Sequence, residues 1–176
     1  MELLEYFDEK NEKSVGVAER VYVHENNLWH REIAVWVMNE KNEVLLQRRS
    51  SKKKQGANKF SITAGHIAVN EKEVSAAIRE LKEEIGLNFI ESDLKLIDIY
   101  RNEQKNNNCF SYMYLVKTNK KIGDMTMQEE EVSELKYISI EDLEDRMKKL
   151  DEEINFVKKR HMRVALERIK KEFTND

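Results

Sequence analysis

Glu80, Glu83 and Glu84 stand close enough in sequence to share one side of a helix, and three carboxylates gathered in that way can hold a hard divalent cation. Val74, Ala77, Ile78, Leu81 and Ile85 recur at three- and four-residue spacing and predict that helix, with one apolar stripe. At ~100° per residue the three glutamates fall together roughly 125° away from the stripe, so the helix can pack on a core and still present them at one place. Mg²⁺ suits such a cluster. It takes a few carboxylates, keeps some waters and leaves the rest of its shell to substrate phosphate. Arg79, four residues before Glu83, can pair with it and ease the repulsion among the acids. Gly86-Leu87 is a helix stop. Gly65 permits close backbone approach ahead of the helix and offers its carbonyl as a further metal ligand.

Glutamates on an amphipathic helix are ordinarily solvated surface groups. Their register separates these from that background. Gly65, Glu71 and the run Arg79-Glu80-Leu81-x-Glu83-Glu84-x-Gly86-Leu87 match every specified position of the Nudix box over residues 65–87, and the chain resembles Nudix hydrolases. The resemblance implies an enzyme that cleaves the diphosphate linkage of a nucleotide or related organic diphosphate, using Mg²⁺ or Mn²⁺ and metal-activated water. It makes Glu83 and Glu84 the main metal ligands and Glu80 a further one. Glu71 would brace the loop before the helix. The general base would be a box glutamate or a residue of a later loop, where Glu129, Glu130 and Glu131 are the candidates. The products would be a monophosphate with phosphate or a second phosphorylated fragment.

Over roughly residues 15–150 the likeness narrows to the isopentenyl-diphosphate isomerase branch, which holds both isomerases and similar hydrolases. Leu28-Trp29-His30-Arg31, Leu46-Gln47-Arg48-Arg49 and Ala64-Gly65-His66 carry it. The isomerases need a cysteine immediately before the Gly-His pair and glutamate on a later strand. Here Ala64 stands at the first position, where it can neither donate nor accept a proton, and Asn107-Asn108-Cys109-Phe110 at the second. A loop shift would be needed to bring Glu103 into play. Hydrolysis is therefore expected over isomerisation, and over a non-catalytic ligand-binding module, which would be expected to lose the metal glutamates. His24, His30 and His66 resemble the imidazole ligands of the isomerases' second metal site, and three neutral imidazoles can hold Zn²⁺ or Mn²⁺ unaided. The commoner role of such histidines is structural. Cys109 reads as buried filler and not as a nucleophile.

A diphosphate also needs cations. Arg48 and Arg49 end a strand and Lys52, Lys53 and Lys54 follow, which makes Arg48, Arg49 and Lys53 the candidate phosphate clamp. Adjacent strand residues point to opposite faces, so only one arginine is expected to reach substrate. Trp29, Trp36 and Phe60 are candidates for an apolar or stacking wall, with Trp36 the most core-like.

The elements around these residues suggest one domain over 1–176, comprising short N-terminal strands (1–30), a core (31–150) and a C-terminal helix (151–176). Leu3 to Phe7 and Val15 to Val23 read as strands. Glu32 to Met38 and Val44 to Gln47 read as a hairpin about the turn at 39–42. Leu94 to Tyr100, Cys109 to Val116 and Leu135 to Ile138 read as further strands. Ser139 is an N-cap for a helix through Leu150, with Asp142 completing an acidic capping box. Ile154, Val157, His161, Val164, Leu166 and Ile169 mark a final amphipathic helix. The order fits an α/β (α+β) fold, and the resemblance specifies a Nudix-type α/β/α sandwich around a mixed sheet.

With 176 residues, 40% hydrophobic and 37% charged, the chain is large enough for one real core. A net charge of −3 gives no bulk attraction for nucleic-acid polymers. No apolar run approaches the ~20 residues that span a bilayer. MELLEYFDEK lacks the layout of a signal peptide, and the single cysteine fits a reducing cytoplasm. The expected partner is a small-molecule diphosphate, and homodimerisation is left open.

Overall fold

A computed structural model describes residues 2–53, 56–155 and 159–174. Lys54 and Val157, both used above, lie outside them. The N-terminal strands β1 (Leu3–Phe7) and β2 (Ser14–Glu19) pair as an antiparallel ribbon, and α1 (Arg20–Glu25) follows directly. The expected strand from Val15 to Val23 is thus half wrong. Val21 and Val23 alternate as a strand would, but at six residues α1 is too short to display a 3.6-residue period.

The main sheet is seven-stranded and mixed among the described residues. Its centre is β3 (His30–Met38), which runs parallel to β8 (Cys109–Lys117); β7 (Lys95–Asn102) lies antiparallel to β8 at the edge. Among the described residues, the predicted hairpin between β3 and β4 (Glu43–Arg49) survives only at its turn end, where Met38 pairs with Val44. Beyond that point the strands part. β6 (Thr63–His66) takes the edge of β3 from Glu32 to Val35, and β9 (Val132–Ser139) takes β4 from Glu43 to Arg49. β5 (Phe60–Ser61) closes the other side of β4. These long-range ladders outcompete the local pairing because they satisfy more backbone groups.

Alternation along β3 builds the layers. Ile33, Val35 and Val37 face the box helix α2 (Glu73–Ile85) and bury with Ala77, Leu81 and Ile85. Trp36 and Met38 face the other way and bury with residues of α3 (Ile140–Lys149) and α4 (Lys159–Thr174), among them Leu143, Leu166 and Ile169. The result is the expected α/β/α sandwich around a mixed sheet. Ser139 caps α3 as expected, its Oγ accepting from Asp142 N at 3.0 Å. Ile154 does not belong to the final helix. It bridges Phe60 in the parallel sense and is buried there, tying the 151–155 segment to the sheet. Trp29, Trp36 and Phe60 are all core residues, Trp29 packing on Phe7 and Phe110, so none of them forms a substrate wall. No described helix is long and apolar enough to cross a membrane.

Candidate active site

The box helix ends at Gly86, whose φ of 71° is the left-handed conformation that glycine adopts without strain. Its polar side forms one wall of a cleft of about 340 Å³, whose lining includes Glu80, Glu83, Glu84, Arg49, Lys53 and His66. The three carboxylates are not equivalent. Glu83 is exposed, Glu80 is half-buried, and Glu84 is 4% exposed. Burial pushes the Glu84 carboxyl up to about 8, against the pull of the Gln47 amide, which donates to Oε2 at 2.6 Å. Thr63 Oγ1 in turn donates to Gln47 Oε1 at 3.1 Å, so a buried polar chain fixes the carboxylate. Burial raises Glu80 as well, opposed by the Arg79 guanidinium.

Gly65 matters for space. A Cβ there would lie 2.1 Å from Glu80 Oε1, so any side chain at 65 would displace that carboxylate. Arg79 reaches Glu83 (3.3 Å) as expected, but its main work is elsewhere. Nε and Nη2 donate to the two oxygens of Glu71 (2.9 and 3.0 Å), Nη1 to Glu80 (2.8 Å), and Nη2 also to the His66 carbonyl (3.0 Å). Glu71 accepts from Ala68 N at 2.9 Å. Burial would raise the Glu71 carboxyl, yet these bonds hold it below its ordinary value. Glu71 thus braces the loop that enters the helix.

The structure separates the two arginines. Arg48 donates to Glu134 (2.8 Å) and to the Asn58 carbonyl (3.1 Å), and lies 4.3 Å from the Phe60 ring centroid. Arg49 lines the cleft, and its charge acts on Glu84. Lys53 lines it too, bound to Glu131 at 2.5 Å. Of the three later-loop candidates Glu131 faces the cleft, while Glu129 and Glu130 are exposed, Glu130 lying 4.0 Å from Lys52. The Gln128 N–H donates to the Glu84 carbonyl (3.0 Å), which pins this loop to the end of the box helix.

His24, His30 and His66 come together, with ligand atoms within 4.8 Å of one another. His24 and His66 touch through Nε2 atoms at 3.2 Å, and His66 Nδ1 lies 3.1 Å from Glu2. The hydrogen bond to His66 draws Glu2 down to about 2. Burial pushes His30 down to about 3 and lowers His24, which keeps both rings neutral. Glu103 is not among the cleft-lining residues; it is exposed, with Arg101 at 3.8 Å. Ala64 and Asn107 do line it.

Sequence reasoning missed Glu2, Arg20 and Glu32 as cleft residues, and Gln47 as the partner of Glu84. Only Gln47 left a signal, an uncharged polar residue following the apolar run Val44-Leu45-Leu46. Beyond Ala64 the cleft continues into a pocket of about 570 Å³ whose walls include Tyr100, Met113 and Met162.

A NUDIX domain model matches residues 28–159. The chain belongs to that family. Among its relatives, an uncharacterized Nudix hydrolase of Clostridium acetobutylicum is 33% identical over 150 residues, covering 81% of this chain and 72% of the relative. An isopentenyl-diphosphate Delta-isomerase of Pectobacterium atrosepticum is 36% identical over 80 residues, 45% of each chain. A crystal structure of a Deinococcus radiodurans protein superposes with a TM-score of 0.70 at 20% identity, covering 84% of this chain and 90% of that one, and so shares the fold. The protein is a Nudix hydrolase, and its box occupies α2 and the loop before it.

Buried Glu84 makes a stability prediction for the metal-free Nudix domain. Unfolded, this carboxyl titrates near 4.5; folded, near 8. The folded state therefore binds more protons between those values, and this group's contribution to stability falls as pH rises from about 4.5 to about 8. At about 1.4 kcal/mol per pKa unit the effect is a few kcal/mol. Thermal melts in chelator should show wild type and Glu84→Gln alike near pH 5 and the variant more stable near pH 8. Parallel pH profiles for the two proteins would contradict it.

Proposed function

We propose that this protein hydrolyses a diphosphate linkage in a nucleotide or related organic diphosphate, with Mg²⁺ or Mn²⁺ held by the box carboxylates. The observation that carries the reading is the convergence of Glu80, Glu83 and Glu84 with Arg49 and Lys53 on one cleft. The donor set fits a hard dication. Two of the three carboxyls are raised by burial, and Arg79 is committed first to Glu71, so the cluster is short of positive charge. Glu80, Glu83 and Glu84 would hold the ion, with the Gly65 carbonyl as a further oxygen donor. When bound, it supplies polarisation of the attacking water and of the phosphate oxygens, and screening of the charge that develops on them.

The chain's own residues do the rest. Gln47 and Thr63 keep Glu84 in one orientation. Arg49 and Lys53 meet the phosphate oxygens on the side away from the glutamates. Lys53 exchanges Glu131 for phosphate when substrate enters, and Glu131, released beside the phosphorus, accepts the proton of the attacking water. The pocket beyond Ala64 receives the group attached to the diphosphate. The products are a monophosphate and phosphate or a second phosphorylated fragment. A small-molecule enzyme of this kind suits the cytoplasm, where the thiol of Cys109 stays reduced.

The test is product release, with Mg²⁺ or Mn²⁺ and then with chelator, from nucleoside di- and triphosphates, dinucleoside polyphosphates, nucleotide sugars and prenyl diphosphates. Metal-dependent release from at least one class is expected; no release from any of them sinks the reading. Isopentenyl diphosphate serves as a separate probe. Ala64 and Asn107 cannot shuttle protons across a carbon skeleton, so no dimethylallyl isomer should form. Steady isomer formation by the wild-type protein would overturn the hydrolytic assignment in favour of the isomerase.

A further inference from the structure

Two groups of metal-ligating side chains share His30. One is the histidine triad. The other is His30, Glu32 and Cys109, whose ligand atoms also lie within 4.8 Å of one another. The second group follows from strand register. His30 pairs with Cys109 across the parallel β3–β8 ladder, and Glu32 stands two residues along β3, on the same face as His30. We infer that His30, Glu32 and Cys109 form a zinc site, distinct from the box carboxylates, with an imidazole, a carboxylate and a thiolate as ligands and its fourth position open to the cleft.

The hydrogen bonds favour this triad over the histidines. His24 and His66 satisfy each other at 3.2 Å, and His66 has Glu2 on its second nitrogen. His30 is fully buried, and its Nδ1 faces the Leu28 carbonyl at 3.3 Å, which leaves Nε2 without a hydrogen-bond partner among the described residues. A buried acceptor in that condition costs about 1–3 kcal/mol. A neutral imidazole that donates from Nδ1 to a carbonyl is set up to ligate through Nε2. Cys109 is also fully buried, and the Asn102 amide donates to its Sγ at 3.4 Å, which fixes the position of the sulfur. Glu32 lines the cleft, so the open position faces whatever enters it.

The ligand types select the ion. Thiolate, imidazole and carboxylate together suit Zn²⁺, which is borderline-soft and tolerates three protein ligands with an exchangeable fourth. Mg²⁺ prefers oxygen alone and belongs with the box glutamates. On binding, the S–H bond of Cys109 breaks, the sulfur keeps the electron pair as a ligand, and the proton passes to solvent.

Cobalt reports on the site because Co²⁺ bound to thiolate absorbs strongly in the near ultraviolet, whereas Co²⁺ on carboxylates does not. Titrating metal-free protein with Co²⁺ should give this band, saturating at a single equivalent and bleached by Zn²⁺. Cys109→Ser should lose the band and His24→Ala should keep it. No band in folded wild-type protein overturns the inference, as does a band that persists in Cys109→Ser. Should Cys109→Ser fail to fold, zinc K-edge absorption of the wild-type protein at one equivalent of Zn²⁺ decides: a Zn–S distance of about 2.3 Å is expected, and a shell of nitrogen and oxygen alone refutes thiolate ligation. Neither readout depends on turnover, so the zinc site and the hydrolytic reading can fail separately.

Discussion

Glu83→Gln and Glu84→Gln are each expected to cut metal-dependent turnover by at least about a hundredfold, since the loss of outer-shell partners alone costs 10–100-fold in metal affinity or activity. The change removes a negative oxygen and keeps nearly the same shape. Its structural consequences should differ between the two sites. Glu83 is exposed, so its substitution should leave stability within roughly 0.5 kcal/mol. Glu84 is buried on the Gln47 amide, and removing its charge should stabilise the metal-free protein at alkaline pH. Steady-state kinetics over a range of Mg²⁺ concentrations, with melts as the folding control, separate the two. Undiminished activity in Glu83→Gln would show that the catalytic ion lies elsewhere.

Arg49→Ala should weaken substrate handling by roughly 2–4 kcal/mol in kcat/KM, the usual cost of leaving a buried charge partner unpaired, whereas Arg48→Ala should be mild. A diphosphate bound to one dication still carries excess negative charge, and the box glutamates add more. The oxygens farthest from the ion need a cation, and Arg49 lines the cleft while Arg48 is engaged with Glu134 and the Asn58 carbonyl. Equal effects from the two substitutions, or none from either, would place the clamp on other residues. Arg20, which lines the same cleft bound to Glu2 at 2.8 Å, would be the next to examine.

The box was legible because everything it needs is local. The stripe Val74, Ala77, Ile78, Leu81 and Ile85 dictates which side of the helix buries, and that choice leaves Glu80, Glu83 and Glu84 toward the cleft. Gly65 and Glu71 sit at set distances on the same stretch of chain, so their contacts with Glu80 and Arg79 follow from short-range geometry. Strand alternation likewise predicted that one arginine of the pair would face away, though not which. That choice depends on where β9 and β5 pair with β4, contacts made by residues far along the chain.

The remaining decisions were tertiary for the same reason. β3 and β4 look like a hairpin because their neighbourhood in sequence is all that local pattern reports, and β6, β8 and β9 arrive from elsewhere to take their edges. Glu131 faces Lys53 and the cleft while Glu129 and Glu130 are exposed, and nothing in three consecutive glutamates reveals that. Glu2 reaches His66, and Gln47 reaches Glu84, across 64 and 37 positions of the sequence. Residue types and spacing determined that this chain could carry a metal-binding acidic helix. Which carboxylate is buried, which cations face it and which polar groups hold it were decided only when the sheet closed, because burial and long-range hydrogen bonds are properties of the packed chain and not of any segment within it.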